Sequence, residues 1–195
     1  MNDTPLIHIV EDDESLRTAL LRLLTTAGFD ARGYSSTGEF LLHRPPDRYG
    51  CLLLDVRLPG PSGLELQDAM REHAINLPII FMTAHGDVSS SVRAMKSGAV
   101  DFLEKPIARD TLLGALARAL ASDLKMRNER SSAHELRARF ALLTPRERDV
   151  FDRVAAGKAN KVIGDELGIA ERTVKVHRAQ LMAKLGGRGN AKFGH

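Results

Sequence analysis

Within the first 120 residues, short apolar runs alternate with amphipathic segments. This pattern constrains the chain more than any other feature. The runs are "LIHIV", "CLLLD", "PIIFMT" and "VDFLEKP", with a weaker one, "ARGY", around Ala31 to Tyr34. Between them lie stretches of helical period. In "SLRTALLRLLTTAG" Leu16, Leu20, Leu23 and Leu24 share one face, and Gly28 suits a helix end. "GLELQDAMREHA" and "VSSSVRAMKSGA" follow the same logic. Strand and helix in alternation predict a parallel sheet covered on both faces, an α/β doubly wound domain of five strands.

In such sheets the site lies outside the carboxyl ends of the strands. The first run ends in Glu11, Asp12, Asp13 and Glu14, the third in Asp55, the fourth in Thr83 and the fifth in Lys105 followed by Pro106. Helix capping accounts for one or two of the acids, but four exceed that need. Clustered carboxylates repel one another unless a cation sits among them. A hard divalent ion such as Mg²⁺ takes oxygen ligands from one or two carboxylates. It can hold a phosphoryl group beside a carboxylate nucleophile, with Lys105 as a second positive charge and Thr83 as a donor. Taken singly, Thr83 reads as a strand-end cap, Phe102 as core and Lys105 as a solvated strand end. Only together do they point to chemistry.

The pair Glu11-Asp12, "LLLDVRLPGPSG", "FMTAHG" and "DFLEKP", in this order, resemble the receiver domain of bacterial two-component response regulators. The resemblance covers residues 5–122 and implies a flavodoxin-like fold. It implies that Asp55 accepts a phosphoryl group from a sensor histidine kinase, with Mg²⁺ or Mn²⁺ as cofactor. Asp12, Asp55 and the backbone carbonyl of Arg57 would hold the metal, and Glu11 would act through water. Thr83, Lys105 and Phe102 would sense the phosphate and relay it. The Lys105–Pro106 bond would be cis. Glu11 stands where many members have Asp. An aspartate-nucleophile phosphatase of the haloacid dehalogenase type would need a second acid two residues after Asp55. Arg57 is there instead, so the expectation is a phosphoacceptor and not an enzyme.

Charge separates the rest of the chain. Residues 1–120 carry 12 Lys/Arg and 16 Asp/Glu, net −4, and residues 121–195 carry 16 and 9, net +7. A basic second part suggests nucleic acid as its partner. Residues 121–139 read as a helical linker, into which the last helix of the first domain could extend, with Ser131 and Ser132 as the expected break. In residues 140–195 Thr144 and Glu147 form a capping box, with Pro145 at the first helical position and Leu143 placed to staple onto Val150 or Phe151. A helix, a turn around Gly168 and a second helix from Glu171 to Leu185 follow, with Val174, Leu181 and Leu185 available for packing.

"LTPRERDVF" and "GKANKVIGDELGIAERTVKVHRAQLMAKL" resemble the LuxR-type helix-turn-helix of the NarL/FixJ branch. That implies binding of double-stranded promoter DNA. Lys175 and Val176 would face bases, Thr173, His177 and Arg178 would lie nearer the backbone, and Lys161 would also contact DNA. It also implies RNA polymerase as a partner and a phosphorylation-dependent homodimer through the face around Val88–Leu120. The family has a further helix after "KLG". Here Gly186, Gly187, Gly189 and Gly194 argue against one, which keeps open a receiver that acts through protein contacts alone. One cysteine excludes an internal disulfide, the seven histidines show no close pair at metal-ligand spacing, and no apolar run approaches the ~18 residues of a membrane span. No signal-peptide pattern opens the chain, so the expectation is a cytoplasmic protein that does not engage the membrane.

Overall fold

The computed structural model describes residues 4–43, 47–84 and 88–186. The chain divides into two compact units, residues 1–127 and 128–195.

The first unit is built on five strands: β1 (Leu6–Val10), β2 (Asp30–Tyr34), β3 (Gly50–Asp55), β4 (Ile79–Thr83) and β5 (Asp101–Glu104). All pair in parallel, in the order β2-β1-β3-β4-β5. The helices are α1 (Glu14–Thr26), α2 (Thr37–Leu42), α3 (Gly63–Glu72), α4 (Val88–Lys96) and α5 (Arg109–Ala141). Strand side chains alternate between two cores. Ile7, Ile9, Cys51, Leu53, Ile80 and Met82 pack on Leu20 and Leu24 of α1 and on Leu112, Leu116 and Ala119 of α5. Val10, Leu52, Leu54 and Phe81 pack on Phe40, Leu64, Leu66, Met70 and Ala94 from α2, α3 and α4. Cover on both faces is why the runs read as continuously apolar. Each fully buried Leu, Ile or Phe contributes about 2 kcal/mol of transfer free energy. Close approach of β1 and β3 requires glycine at position 50, where a Cβ would lie 1.9 Å from the Leu6 carbonyl oxygen.

His8 is a polar side chain sealed against the second core. It is 1% exposed, its Nδ1 lies 3.0 Å from the Tyr34 hydroxyl, and Phe40 meets it edge-on at 5.7 Å. Burial, then the charges of Arg32 and Arg48, lower its pKa from 6.5 to about 4, so the ring is neutral.

Helix α5 corrects one expectation. It runs for 33 residues without a break at Ser131 and Ser132. Serine costs only a few tenths of a kcal/mol against alanine in a helix, and no Gly or Pro stands near. The segment read as linker, residues 121–139, is itself divided between the two units. Its start belongs to the first unit because Asp123 is fully buried there. Asp123 accepts the Gly50 N–H at 3.0 Å and Arg127 Nε–H at 2.7 Å, and Arg127 also donates to the Arg48 carbonyl at 2.8 Å.

In the second unit the end of α5 is followed by α6 (Pro145–Ala155), α7 (Asn160–Leu167) and α8 (Glu171–Leu185). The Thr144–Glu147 capping box forms, with Pro145 in the first turn. Leu143, Val150, Ile163, Val174 and Leu181 make the core, joined by Phe140, Phe151 and Leu185. Gly168 closes α7 in the left-handed conformation at φ 66°, the geometry the turn required. Gly186 closes α8 in the same way. The rest of the glycine-rich ending, and with it the expectation about a further helix, lies outside the described residues.

Candidate functional site

Strand order brings the carboxyl ends of β1, β3, β4 and β5 side by side. Glu11 follows β1, Asp55 ends β3, Thr83 ends β4 and Lys105 follows β5. Glu11 and Thr83 are 1% exposed and Asp55 is 6% exposed, whereas Asp12 is open to solvent. The Lys105 ammonium bridges two carboxylates, 2.7 Å from Glu11 Oε2 and 2.5 Å from Asp55 Oδ2. The other Asp55 oxygen accepts the Arg57 N–H at 2.9 Å. Carboxylate oxygens of Glu11, Asp12 and Asp55 lie within 4.8 Å of one another.

The loops are built to hold this cluster. Asp13 caps α1 by accepting the Leu16 N–H at 3.0 Å, while carboxylate oxygens of Glu11 and Asp12 lie near Asp55. A capping box of Ser62 and Glu65 starts α3. Gly63 lets α3 approach the strand end, since a Cβ there would meet the Asp55 carbonyl oxygen at 2.3 Å. The Lys105–Pro106 bond is cis. The Lys105 N–H donates to the Thr83 carbonyl at 2.7 Å, tying the last two strand ends together. Phe102 is half-buried and packs 6.2 Å from Phe81, among the apolar side chains.

Electrostatics follow from burial and pairing. Burial pushes the Glu11 carboxyl up, and Lys105 offsets part of that. Burial pulls Lys105 down, but its hydrogen bonds to Asp55 and Glu11 and their charges outweigh it, so the ammonium is held above its ordinary pKa. Three carboxylates against one ammonium leave an excess of negative charge around hard oxygen donors.

The second unit presents a different surface. On α8, Arg172, Thr173, Lys175 and Val176 are exposed, while Val174 and Leu181 are buried beneath them. His177 and Arg178 are half-buried, and Arg178 donates to Asn160 Oδ1 at 2.7 Å, fastening α8 to the start of α7. Lys161 is exposed on α7. Lys175 pairs with Glu171 at 3.0 Å on the same face. Gly164 permits the tight turn between α7 and α8, because a Cβ there would lie 2.7 Å from the Ile169 carbonyl oxygen.

Comparison with known proteins decides the family. Residues 7–117 match the response regulator receiver domain, and residues 141–192 match the bacterial regulatory proteins of the luxR family. The chain is a response regulator. Nodulation protein W of Bradyrhizobium diazoefficiens is 44% identical over 186 residues, spanning 95% of this chain and 82% of that protein. Transcriptional regulatory protein FixJ of Rhizobium meliloti is 42% identical over 179 residues, spanning 92% and 88%. Among solved structures, response regulator StyR superposes with a TM-score of 0.85 at 44% identity, covering 97% of this chain and 96% of that one. Full-length FixJ from B. japonicum gives a TM-score of 0.60 at 38% identity, covering 97% and 93%.

As a response regulator of this family, the chain joins a receiver to a LuxR-type DNA-binding domain, close to the FixJ and NodW transcriptional regulators of two-component systems. That pairing implies a histidine kinase and DNA as partners. Among the described residues no helix is long and apolar enough to cross a membrane. The structure also holds contacts that residue patterns did not reveal. Arg17 donates to the carbonyls of Glu11 at 2.6 Å and Asp12 at 3.2 Å. Lys184 pairs with Glu147 at 2.6 Å, and Arg146 donates to the Leu167 carbonyl at 2.6 Å. The available signal for Arg17 was its place one turn into the helix that follows the acids.

Proposed function

We propose that this response regulator is switched by phosphorylation of Asp55. The observation that carries the reading is the double hold on that carboxylate, Lys105 on one oxygen and the Arg57 N–H on the other, with Glu11 and Asp12 alongside. One Asp55 oxygen attacks the phosphorus of a phosphohistidine on the kinase. The P–O bond forms as the P–N bond breaks, and the imidazole keeps the electron pair. Charge accumulates on the equatorial oxygens of the transferring group, where positioning and neutralisation dominate the barrier. Lys105 supplies one positive charge at the site. The remaining donor set, hard carboxylate oxygens with Asp12 opening to solvent, fits a divalent cation of the Mg²⁺ or Mn²⁺ kind. Asp12, Asp55 and the Arg57 carbonyl would hold it, with Glu11 acting through water, and it would supply charge neutralisation. Thr83 and Phe102 rearrange in response to the phosphoryl group on Asp55 and carry the change to the α4–α5 face, where Val92 and Met95 are exposed at 46% and 47% and favour a phosphorylation-dependent homodimer.

The output is promoter DNA. The α8 face with Lys175 and Val176 enters the major groove and reads bases, while Thr173, His177 and Arg178 meet the backbone and Lys161 of α7 adds a further DNA contact. RNA polymerase is the downstream partner. The protein is a phosphoacceptor rather than an enzyme. Incubation with a small acyl phosphate and Mg²⁺ tests the acceptor: hydroxylamine-labile label is expected on the wild type and lost in Asp55→Asn. Undiminished label in that variant would overturn the assignment.

A further inference from the structure

Glu11 and Asp55 are fixed by Lys105, but Asp12 is not. Among the described residues no side-chain partner holds the Asp12 carboxylate, which is exposed. Its position therefore depends on the backbone of residues 11–12. That backbone is gripped from outside the cluster: Arg17 Nη1 donates to the Glu11 carbonyl at 2.6 Å and to the Asp12 carbonyl at 3.2 Å. Arg17 sits on α1, whose first turn is set by Asp13, so the guanidinium reaches back along its own helix to the two residues before the cap.

A second observation shows that room for this side chain is built into β2. Gly33 lies opposite Ile9 in the sheet, and a Cβ at Gly33 would meet Arg17 Cγ at 3.0 Å and Cδ at 3.1 Å, and Leu21 Cδ1 at 3.2 Å. The missing side chain is the channel through which the Arg17 stem passes. Both bonds come from Nη1, which lies one bond farther along the chain than a lysine ammonium would and is held in the plane of the guanidinium, so the positions of its two N–H groups are fixed. Two held carbonyls restrict the backbone torsions between β1 and α1, and so restrict where Asp12 can go.

We infer that Arg17, seated against Gly33, is a positioning residue for the divalent-cation site. It acts through the backbone of Glu11 and Asp12 and does not itself touch the cation or the phosphoryl group. The inference rests on the reading of the acidic cluster as a cation site. It opposes a simple electrostatic view, in which a positive side chain near the site weakens cation binding.

The test is calorimetric titration of the full chain with Mn²⁺, alongside thermal unfolding without metal. Wild type, Asp12→Ala, Arg17→Lys, Arg17→Gln and Gly33→Ala are compared. Arg17→Lys keeps the charge, but its side chain ends one bond short of the Nη1 that spans the two carbonyls, and Gly33→Ala keeps Arg17 but presses on its stem and on Leu21 Cδ1. Loss of an outer partner of this kind weakens metal binding by about ten-fold or more. That drop is expected in Arg17→Lys, Arg17→Gln and Gly33→Ala, with the metal-free midpoint of Arg17→Lys unchanged. Wild-type affinity in Arg17→Lys and Gly33→Ala, with binding lost in Asp12→Ala, would overturn the inference and leave the cation site standing. Tighter binding in Arg17→Gln would also overturn it, as would a metal-free loss of stability in Arg17→Lys matching its loss of affinity. A wild-type chain that binds no Mn²⁺ would overturn both the inference and the cation reading beneath it.

Discussion

Acidification should destabilise the receiver unit through His8, and replacing His8 should remove that sensitivity. The ring is 1% exposed and takes its pKa down from 6.5 to about 4 on folding. Burial is the main cause, with the positive charges of Arg32 and Arg48 adding to it. A neutral ring can accept the Tyr34 hydroxyl proton at Nδ1, and an imidazolium cannot. The unfolded chain therefore binds a proton that the folded one refuses, and stability rises with pH wherever that holds. Above pH 6.5 both states are neutral at this ring and nothing is lost. Between 6.5 and about 4 the loss grows, reaching roughly 2 kcal/mol by pH 5 and about 3 kcal/mol below pH 4. Glu11 works in the opposite sense. Its carboxyl is raised by burial, so its contribution is present at low pH and fades as pH rises. Subtracting a His8→Gln variant from the wild type cancels that term. Gln can still pair with the Tyr34 hydroxyl, so its own cost is a constant offset. The assay is built into the chain: it has no Trp, and its two Tyr, Tyr34 and Tyr49, both lie in the first unit. Urea unfolding followed by tyrosine emission thus reports this unit selectively. The difference between wild type and variant should change by about 2 kcal/mol from pH 7 to pH 5. A flat difference would show that His8 is protonated as easily in the fold as outside it, and the reasoning would fail.

Three further outcomes follow from other contacts. Lys105→Met leaves Glu11 and Asp55 facing each other without their ammonium, in a site where the three side chains are 15%, 2% and 9% exposed. It should cost about 3 kcal/mol at neutral pH, as breaking a buried pair does, and lowering the pH or adding Mg²⁺ should restore much of that in tyrosine-monitored unfolding. Lys175→Ala should weaken binding to a selected duplex by about 1–3 kcal/mol and relax sequence preference, read by fluorescence anisotropy on duplexes changed one base pair at a time. The wild-type affinity itself should fall steeply with salt, because residues 140–195 carry 11 Lys/Arg against 6 Asp/Glu. Salt-insensitive binding would contradict a DNA interface.

Much of the fold was readable because its signals are local and periodic. Runs such as "CLLLD" and "PIIFMT" are strands because both faces of the sheet are covered. The Thr144–Glu147 box and Gly168 marked helix ends that the structure reproduces. Glu11, Asp12, Asp55, Thr83 and Lys105 were legible as a group because strand order alone gathers strand ends. What escaped depends on side chains crossing between elements. The path of α5 through Ser131 and Ser132 is set by weak, summed propensities that no single residue announces. Asp123 carries no local sequence signal of burial, and only its contact with the Gly50 N–H shows that it belongs to the first unit. Arg178 was expected at the DNA backbone, but its guanidinium is also engaged with Asn160, 18 positions away. Arg17 and Gly33 meet only because β1 and β2 pair in one particular register.

The central claim is that chemistry at Asp55 controls the α8 surface. Its most direct test is DNA binding by the full chain with and without an acyl phosphate donor and Mg²⁺, in the wild type and in Asp55→Asn. The account predicts that phosphodonor tightens binding of the wild type to a two-half-site duplex and leaves Asp55→Asn unchanged. Equal tightening in both proteins, or none in a wild type shown to carry the phosphoryl group, would contradict it.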